Sequence, residues 1–316
     1  MEEKIKEFES RCYGLVVIKS ENSNFNADFT GNPRRLPDEN GTIYATDKAL
    51  KYAIRRYWKK LLKKEVFVWK SLNEDETPLS LRQRYEQMSK KLSEKRPIDV
   101  FAKCIDTRLF GITYAVKGEN EKENLSITGP VQISYGINRF SENITYTNDI
   151  LSPYRDEKKK EAKQSTIGNE SKSREVYYVY DFSVNPQNLS NHKEELKSRS
   201  LFIHNDNNDD DIKALKEALK YAVTSLDTTS KKDSENVLLL FITMPDESKQ
   251  FLPSMKNLVK IDKHDGEVEI NLTKVKKMLD EKELNSVELY YNSHVVSVLP
   301  EKSEIEKQKW TVDDNM

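Results

Sequence analysis

RCYGLVVIKSENSNFNADFTGNPRRLPDENGTIYATDKALKYAIRRYWKKLLKK, residues 11–64, runs from an apolar strand through a long polar loop into a basic helix. In 12–20, Tyr13, Leu15 and Val17 alternate with Cys12, Gly14, Val16 and Ile18. Both sets are largely apolar, which is the pattern of a central strand buried on both faces. The loop over 21–46 carries Asn22, Asn24, Asn26, Asp28, Gly31, Asn32 and Pro33, residues that tolerate turns and left-handed geometry. So long an excursion without secondary structure of its own, inside a compact domain, reads as functional. The helix over 47–64 is capped by Thr46 or Asp47 and striped by Leu50, Ile54, Tyr57, Trp58 and Leu61 at intervals of three and four.

The other face of this helix is nearly all cation. Lys48, Lys51, Arg55, Arg56, Lys59, Lys60, Lys63 and Lys64 stand against the single acid Asp47, and Arg34 and Arg35 precede them in the loop. An ordinary solvated face intersperses Glu to form pairs one turn apart, so a surface of one sign suggests a polyanion. Over its 316 residues the chain is close to neutral, with a net charge of -1. The charge is divided, however: residues 1–118 carry 24 basic and 17 acidic side chains, and 119–316 carry 28 and 36. That division permits head-to-tail contact between copies as well as nucleic-acid binding by one part, and a solvated surface explains it equally.

Outward from this unit, EVFVWKS (65–71) reads as a second strand returning beside the first. Leu81, Tyr85, Met88 and Leu92 form the stripe of a helix after Pro78, and a short helix is expected over 98–104 before DTRLFG. Residues 125–140 read as one long strand punctuated by Gly129, Pro130 and Gly136, where glycine implies a bulge or the close approach of another backbone. The very polar segment 141–175, with Lys158, Lys159 and Lys160 and the turn residues Gly168 and Asn169, leads into the strand 176–184 and predicts a protruding hairpin or loop. A helix over 211–226 and a buried strand over 236–244 follow. The order β, α, β, β, α, β is the ferredoxin-like arrangement, here an α+β fold enlarged by insertions. The remainder adds a helix over 271–282, strands at 287–291 and 295–299, and a tail after Pro300 that reads as frayed.

The chemistry of most enzyme classes is missing. His192, His204, His264 and His294 are scattered singly, without a metal-ligand spacing, and there is neither a phosphate-binding GxxxxGK[ST] nor a GxGxxG loop. Asp206, Asn208, Asp210 and Glu217 mimic a calcium loop, but Asp211 occupies the position that needs glycine, so the run reads as the acidic start of a helix. Cys12 and Cys104 form no disulfide framework, no opening signal pattern is present, and 237–244, the most apolar run, is too short to span a bilayer. The expectation is a soluble cytoplasmic protein with no membrane contact, no metal and no cofactor.

SENSNFNADFTGNPRRLPDENGTIYATDKALKYAIRRYW, DTRLFG, TGPVQISYGINR and YYVYDFSVNP, in that order, resemble the backbone subunit of type I CRISPR Cascade surveillance complexes, closest to the subtype I-B branch, within the RAMP superfamily. The resemblance runs from about Arg11 to Met244; the acidic C-terminal part carries no motif of it. It implies an RRM-like palm (1–71, 125–140 and 176–299), helical fingers (72–124), a thumb within 141–175 and a flexible tail (300–316). It also implies a non-catalytic protein whose copies polymerise along CRISPR RNA beside other Cascade subunits and hold the guide for pairing with target DNA. Carried over by motif, Asn22, Asn24, Arg34 and Arg35 in the loop, Lys48, Lys51 and Arg55 on the helix, and Gln132, Ser134 and Arg139 in the strand grip the RNA backbone. The residues agree in kind, since phosphate contacts fix register without reading sequence. Two alternatives remain: an RNA-cleaving RAMP protein using Asp28, as relatives in type III complexes use an aspartate in the corresponding loop, and a free-standing single-strand binder.

Overall fold

The computed structural model describes residues 6–117, 122–155, 164–192, 203–204, 210–307 and 310–316. A short strand, β1 (Lys6–Glu7), precedes β2 (Cys12–Ser23), and the loop closes on β3 (Tyr44–Ala45) and α1 (Asp47–Lys60). Helices α2 (Leu81–Leu92), α3 (Pro97–Lys103) and α4 (Ile105–Phe110) lead to a hairpin of β4 (Gly111–Lys117) and β5 (Lys122–Thr128). Then come β6 (Val131–Ile133), β7 (Gly136–Asn138), β8 (Thr145–Arg155) and the long β9 (Gln164–Val184). After β10 (Ile203–His204), which pairs with β1, stand α5 (Asp211–Tyr221) and β11 (Ser234–Thr243). The C-terminal part holds β12 (Lys260–His264), β13 (Glu267–Asn271), α6 (Thr273–Leu279), β14 (Ser286–Tyr291), β15 (Val296–Leu299), α7 (Lys302–Glu306) and β16 (Thr311–Asp313).

The principal sheet runs β16-β14-β11-β2-β9-β7-β3, with β6 and β8 also paired to β9. As its two apolar faces require, β2 lies in the middle, antiparallel to β11 (Leu15 opposite Leu240) and to β9 (Val16 opposite Tyr180). Strand alternation divides the side chains between two cores. Val16, Ile18, Tyr178, Tyr180, Phe182 and Phe241 pack against α1, α5 and the insertion between α1 and β6. Leu15, Val17, Tyr177, Val179, Leu240 and Ile242 pack against Met255, Ile270, Val275 and Trp310 of the C-terminal part. Removing each such aliphatic side chain from water contributes roughly 1.5–3 kcal/mol. Two hydrogen bonds tie α1 to α5: Trp58 Nε1 donates to the Ala214 carbonyl (2.9 Å) and the Tyr57 hydroxyl to Glu217 (2.8 Å).

Several elements differ from expectation. Residues 65–71 form no strand beside β2, because side chains take the backbone groups that a sheet would. Asp106 accepts from Phe67 N (2.8 Å) and Val68 N (2.9 Å), while Arg84 donates to the carbonyls of Val66 and Phe67. The insertion is not purely helical, since it ends in the β4–β5 hairpin. The stretch 125–140 is broken into β5, β6 and β7 rather than one strand. A Cβ on Gly129 would lie 2.3 Å from Gly111 N, so backbones do approach closely there, whereas Gly136 makes room for the Tyr180 ring. Helix α1 stops at Lys60 and leaves Leu61 exposed. α5 stops at Tyr221, beyond which Asn236 Oδ1 accepts from Val223 N and Thr224 N. Gly168 and Asn169 lie within β9, opposite Ile150 and Asp149 and beside a register shift, not in a turn. Within the tail, β16 pairs with β14 and Trp310 is buried. Lys158, Lys159, Lys160, Asp206 and Asn208 lie outside the described residues. Asp210 caps α5, accepting from Ile212 N and Lys213 N, as the acidic helix start predicts. Cys12 and Cys104 are buried and free, and burial pushes both thiols up to about 12. Among the described residues no helix is long and apolar enough to cross a membrane.

Candidate nucleic-acid interface

Small RNA-binding sheets stack bases on their open face. Here that face of β2 and β9 is covered, with Tyr177 and Val179 beneath the C-terminal part. The surfaces left for the expected polyanion include the loop after β2, the start of α1, the β8–β9 hairpin, and strand β6 with its junction to β7.

The loop is not a structureless excursion. Asp28 Oδ1 accepts from Thr30 N (2.8 Å), Thr30 Oγ1 (2.7 Å) and Asn32 N (3.0 Å), and Asp38 Oδ1 closes a second turn on Thr42 N (2.8 Å). The Thr30 hydroxyl first, with the two backbone N–H groups, holds the Asp28 carboxyl below the usual carboxylate value. Phe29, carried on this turn, is fully exposed. At the loop's end Asn26 Oδ1 accepts from both Thr46 N (2.8 Å) and Thr46 Oγ1 (2.9 Å), and Thr46 in turn caps Ala49 N.

Four of the expected contact residues lie in this loop or on its seam with the hairpin. Asn24 is buried and donates to the carbonyls of Gly31 (2.9 Å) and Ser171 (3.0 Å). Asn22, at φ 46°, accepts from the Tyr146 hydroxyl (3.1 Å). Arg34 donates to the Ala27 carbonyl, and Arg35 to the carbonyls of Gly41 and Asn143 and to Thr145 Oγ1. Asn143, which the sequence reading did not single out, binds the same turn through the carbonyls of Asn40 and Gly41 and through Ile43 N. Above this seam β8 and β9 continue as a two-stranded ribbon on which Ile150 and Leu151 are exposed.

On α1 the three expected cations divide. Lys48 points outward, its side chain 79% exposed, with Asp47 at 2.9 Å. Burial works against ionisation of Asp47, and Lys48 and Lys51 together outweigh it, so its carboxyl stays below the usual value. Lys51 turns toward Asp47 (3.3 Å) and the Phe110 ring, and burial lowers its ammonium despite that partner. Arg55, 15% exposed, donates from Nε to Oδ2 of the fully buried Asp106 (3.0 Å). The helix therefore does have an acid opposite its cations; it comes from α4, fifty-one residues along the chain. Further on, Lys59 and Lys60 lie over the Trp69 ring. Tyr52, one turn after Lys48, is exposed.

The last three expected residues line the sheet edge. Gln132 is exposed and donates to the Gly129 carbonyl; Ser134 Oγ donates to the Tyr135 carbonyl (3.1 Å) and accepts from Asp181 N (3.1 Å). Arg139 donates from Nη2 to Asn257 Oδ1, while its buried Nε finds no acceptor among the described residues and burial lowers its pKa. Beside it Lys256 reaches the Tyr135 carbonyl. Tyr44 and Tyr135 stack with centroids 5.4 Å apart. These tyrosines and Lys256 escaped the sequence reading because they come from three distant stretches, none of which has an aromatic-basic pattern of its own. Among the described residues no group of three His, Cys, Asp or Glu could hold a metal ion.

A family model described as CRISPR-associated protein Cas7 matches residues 10–286. Two solved chains titled "CRISPR RNA-guided surveillance complex" and "CRISPR RNA-guided surveillance complex, pre-nicking" are each 11% identical, with TM-scores of 0.44 and 0.48; in both cases the match covers 95% of this chain and 98% of the other. No curated protein matches the chain.

Proposed function

The chain belongs to the CRISPR-associated Cas7 family, and from that premise we propose that it is a non-catalytic RNA-binding subunit whose copies line up along CRISPR RNA as the backbone of a Cascade surveillance complex, of the I-B branch, in the cytoplasm. Other Cascade subunits and, through the guide, target DNA are its further partners. The family match over most of the chain carries this reading. The fold supports it: β11-β2-β9-β7 with α1 and α5 as crossovers is compatible with a ferredoxin-like palm. On it we assign 72–124 as the fingers and the β8–β9 ribbon within 141–175 as the thumb.

In this reading Lys48, Gln132 and Arg139 meet the RNA backbone directly. Asn22, Asn24, Arg34, Arg35, Lys51 and Arg55 hold the loop, hairpin and helix that present them, and Ser134 orients Tyr135. Phosphate contacts of this kind are indifferent to base sequence, which suits a subunit that must accept any guide. Asp28 Oδ1 already accepts three hydrogen bonds, which favours a turn-building role over cleavage. The test is titration of two unrelated single-stranded RNAs of equal length across a salt series. Binding should fall steeply with salt and differ between sequences by less than about tenfold, 1.4 kcal/mol; a flat salt response or a stronger sequence preference overturns the proposal.

A further inference from the structure

We propose that Tyr135 is a stacking platform for one base of single-stranded RNA, with Lys48 and Lys256 taking the phosphates on either side; the inference rests on the RNA-binding reading above and assigns it a base contact. Tyr135 is 45% exposed at the junction between β6 and β7. It is not a loose side chain: its ring stacks on Tyr44 at 5.4 Å and 28°. Tyr44 is in turn fixed by β3, whose register with β7 sets Tyr44 opposite Ile137. Ser134 Oγ and Lys256 Nζ both donate to the Tyr135 carbonyl, at 3.1 and 3.5 Å. A ring held from behind loses little freedom when a base stacks on it, which is the condition for a useful platform.

The charges around it fit a nucleic acid better than an apolar protein partner. Lys48 at the start of α1 is within electrostatic reach of the Tyr135 phenol, and Lys256 adjoins Arg139. Of the nearby acids, Asp47 is paired with Lys48 and Lys51, while Asp181 accepts from Met255 N at 2.9 Å and burial works against its ionisation. Cations from two separate segments thus lie near one exposed aromatic residue, Lys256 at its carbonyl (3.5 Å) and Lys48 within electrostatic reach of its phenol, the combination that holds single strands by phosphate attraction and stacking. Stacking is also tolerant of sequence, because every base has a π face.

The experiment uses the full chain and a twelve-nucleotide oligouridylate, intact or with abasic sites, in a salt series. Tyr135→Leu should bind intact RNA roughly fivefold to a hundredfold more weakly than wild type, with an unchanged salt slope, and Tyr135→Phe should match wild type. The difference between Tyr135→Leu and wild type should shrink on abasic RNA. Wild type mixed with 5-iodouridine RNA and irradiated should crosslink at Tyr135, a result independent of whether any variant folds. Equal affinity of wild type and Tyr135→Leu, or no crosslink at Tyr135, overturns the stacking platform while RNA binding stands. Wild type that binds no RNA overturns both readings. Loss of copy-to-copy association in Tyr135→Leu with RNA affinity retained makes the patch a protein contact and overturns the proposal.

Discussion

Replacing Asp106 by alanine tests whether the basic helix is an RNA-binding surface throughout or, in part, a packed face. The Asp106 side chain is 0% exposed; its Oδ1 accepts from Phe67 N at 2.8 Å, and its Oδ2 from Val68 N at 2.9 Å and from Arg55 Nε at 3.0 Å. Removing one partner of a buried ion pair destabilises by about 3–5 kcal/mol, because the other charge is left without compensation. Here the buried Phe67 N–H is orphaned as well, at about 1–3 kcal/mol when taken singly, and the part-buried Val68 N–H loses its partner, so Asp106→Ala belongs at the upper end of the first range. At about 2 °C per kcal/mol for a chain of this size, the thermal midpoint should fall by roughly 8–10 °C. Arg55→Ala should cost less, about 1.5–3 kcal/mol, since the carboxylate keeps both N–H donors. Arg55→Glu, which sets a second carboxylate against Asp106, should not fold. In the double variant the losses should fall short of additive by about 1–3 kcal/mol, the signature of a direct contact. Unfolding in urea gives these values, and RNA titration well below the midpoint gives the functional arm, where Arg55→Ala should bind within about twofold of wild type, or 0.4 kcal/mol. An unchanged midpoint in Asp106→Ala, or Arg55→Ala that keeps its stability and loses RNA, would refute the reasoning.

Lys48→Ala should leave the thermal midpoint within about 1 °C, since its exposed pair with Asp47 contributes at most a few tenths of a kcal/mol, yet lower the log–log salt slope of RNA binding by about 1. Asp28→Asn and wild type should both leave single-stranded RNA whole in magnesium or manganese; regular cuts that vanish in the variant would favour the nuclease. Because the Asp28 carboxyl is depressed in the folded chain, its hold on the turn is present above the ordinary carboxylate pKa and lost as pH falls through the lowered value. Amide exchange at Thr30 and Asn32, corrected for intrinsic rates, should quicken only below about pH 4. Trp310→Ala should destabilise by about 3–5 kcal/mol in urea unfolding; no change would mean that the C-terminal segment is not part of the core. Complexes on RNAs of increasing length should give a mass ladder, as expected of head-to-tail copies, and a fixed dimer at every length would sink that assembly.

Local pattern alone determined the central strand, the basic helix with a cap at Thr46 or Asp47, the strand before Asn185, the α5–β11 unit and the family resemblance, because each depends on residues adjacent in the chain. Strand alternation in 12–20 is enough to require two cores. What covers the second one was not legible, since the acidic C-terminal part has weak periodicity and acts through Met255, Val275 and Trp310, far from β2 in sequence. The strand expected at 65–71 failed for a related reason: its composition suits a sheet, but Asp106 and Arg84 claim its backbone groups first. Likewise, eight cations on one helix look unopposed until α4 brings Asp106 against Arg55, which leaves Lys48 outward and Lys51 and Arg55 inward. The loop asparagines and arginines were legible as a group, but their task was not, because turn geometry is local whereas the seam with Ser171, Asn143 and Thr145 forms only when the β8–β9 ribbon folds back beside it. Residue type and spacing determine what a segment is able to form; which of its polar groups stay free for a ligand depends on partners that only the tertiary fold brings within hydrogen-bonding distance.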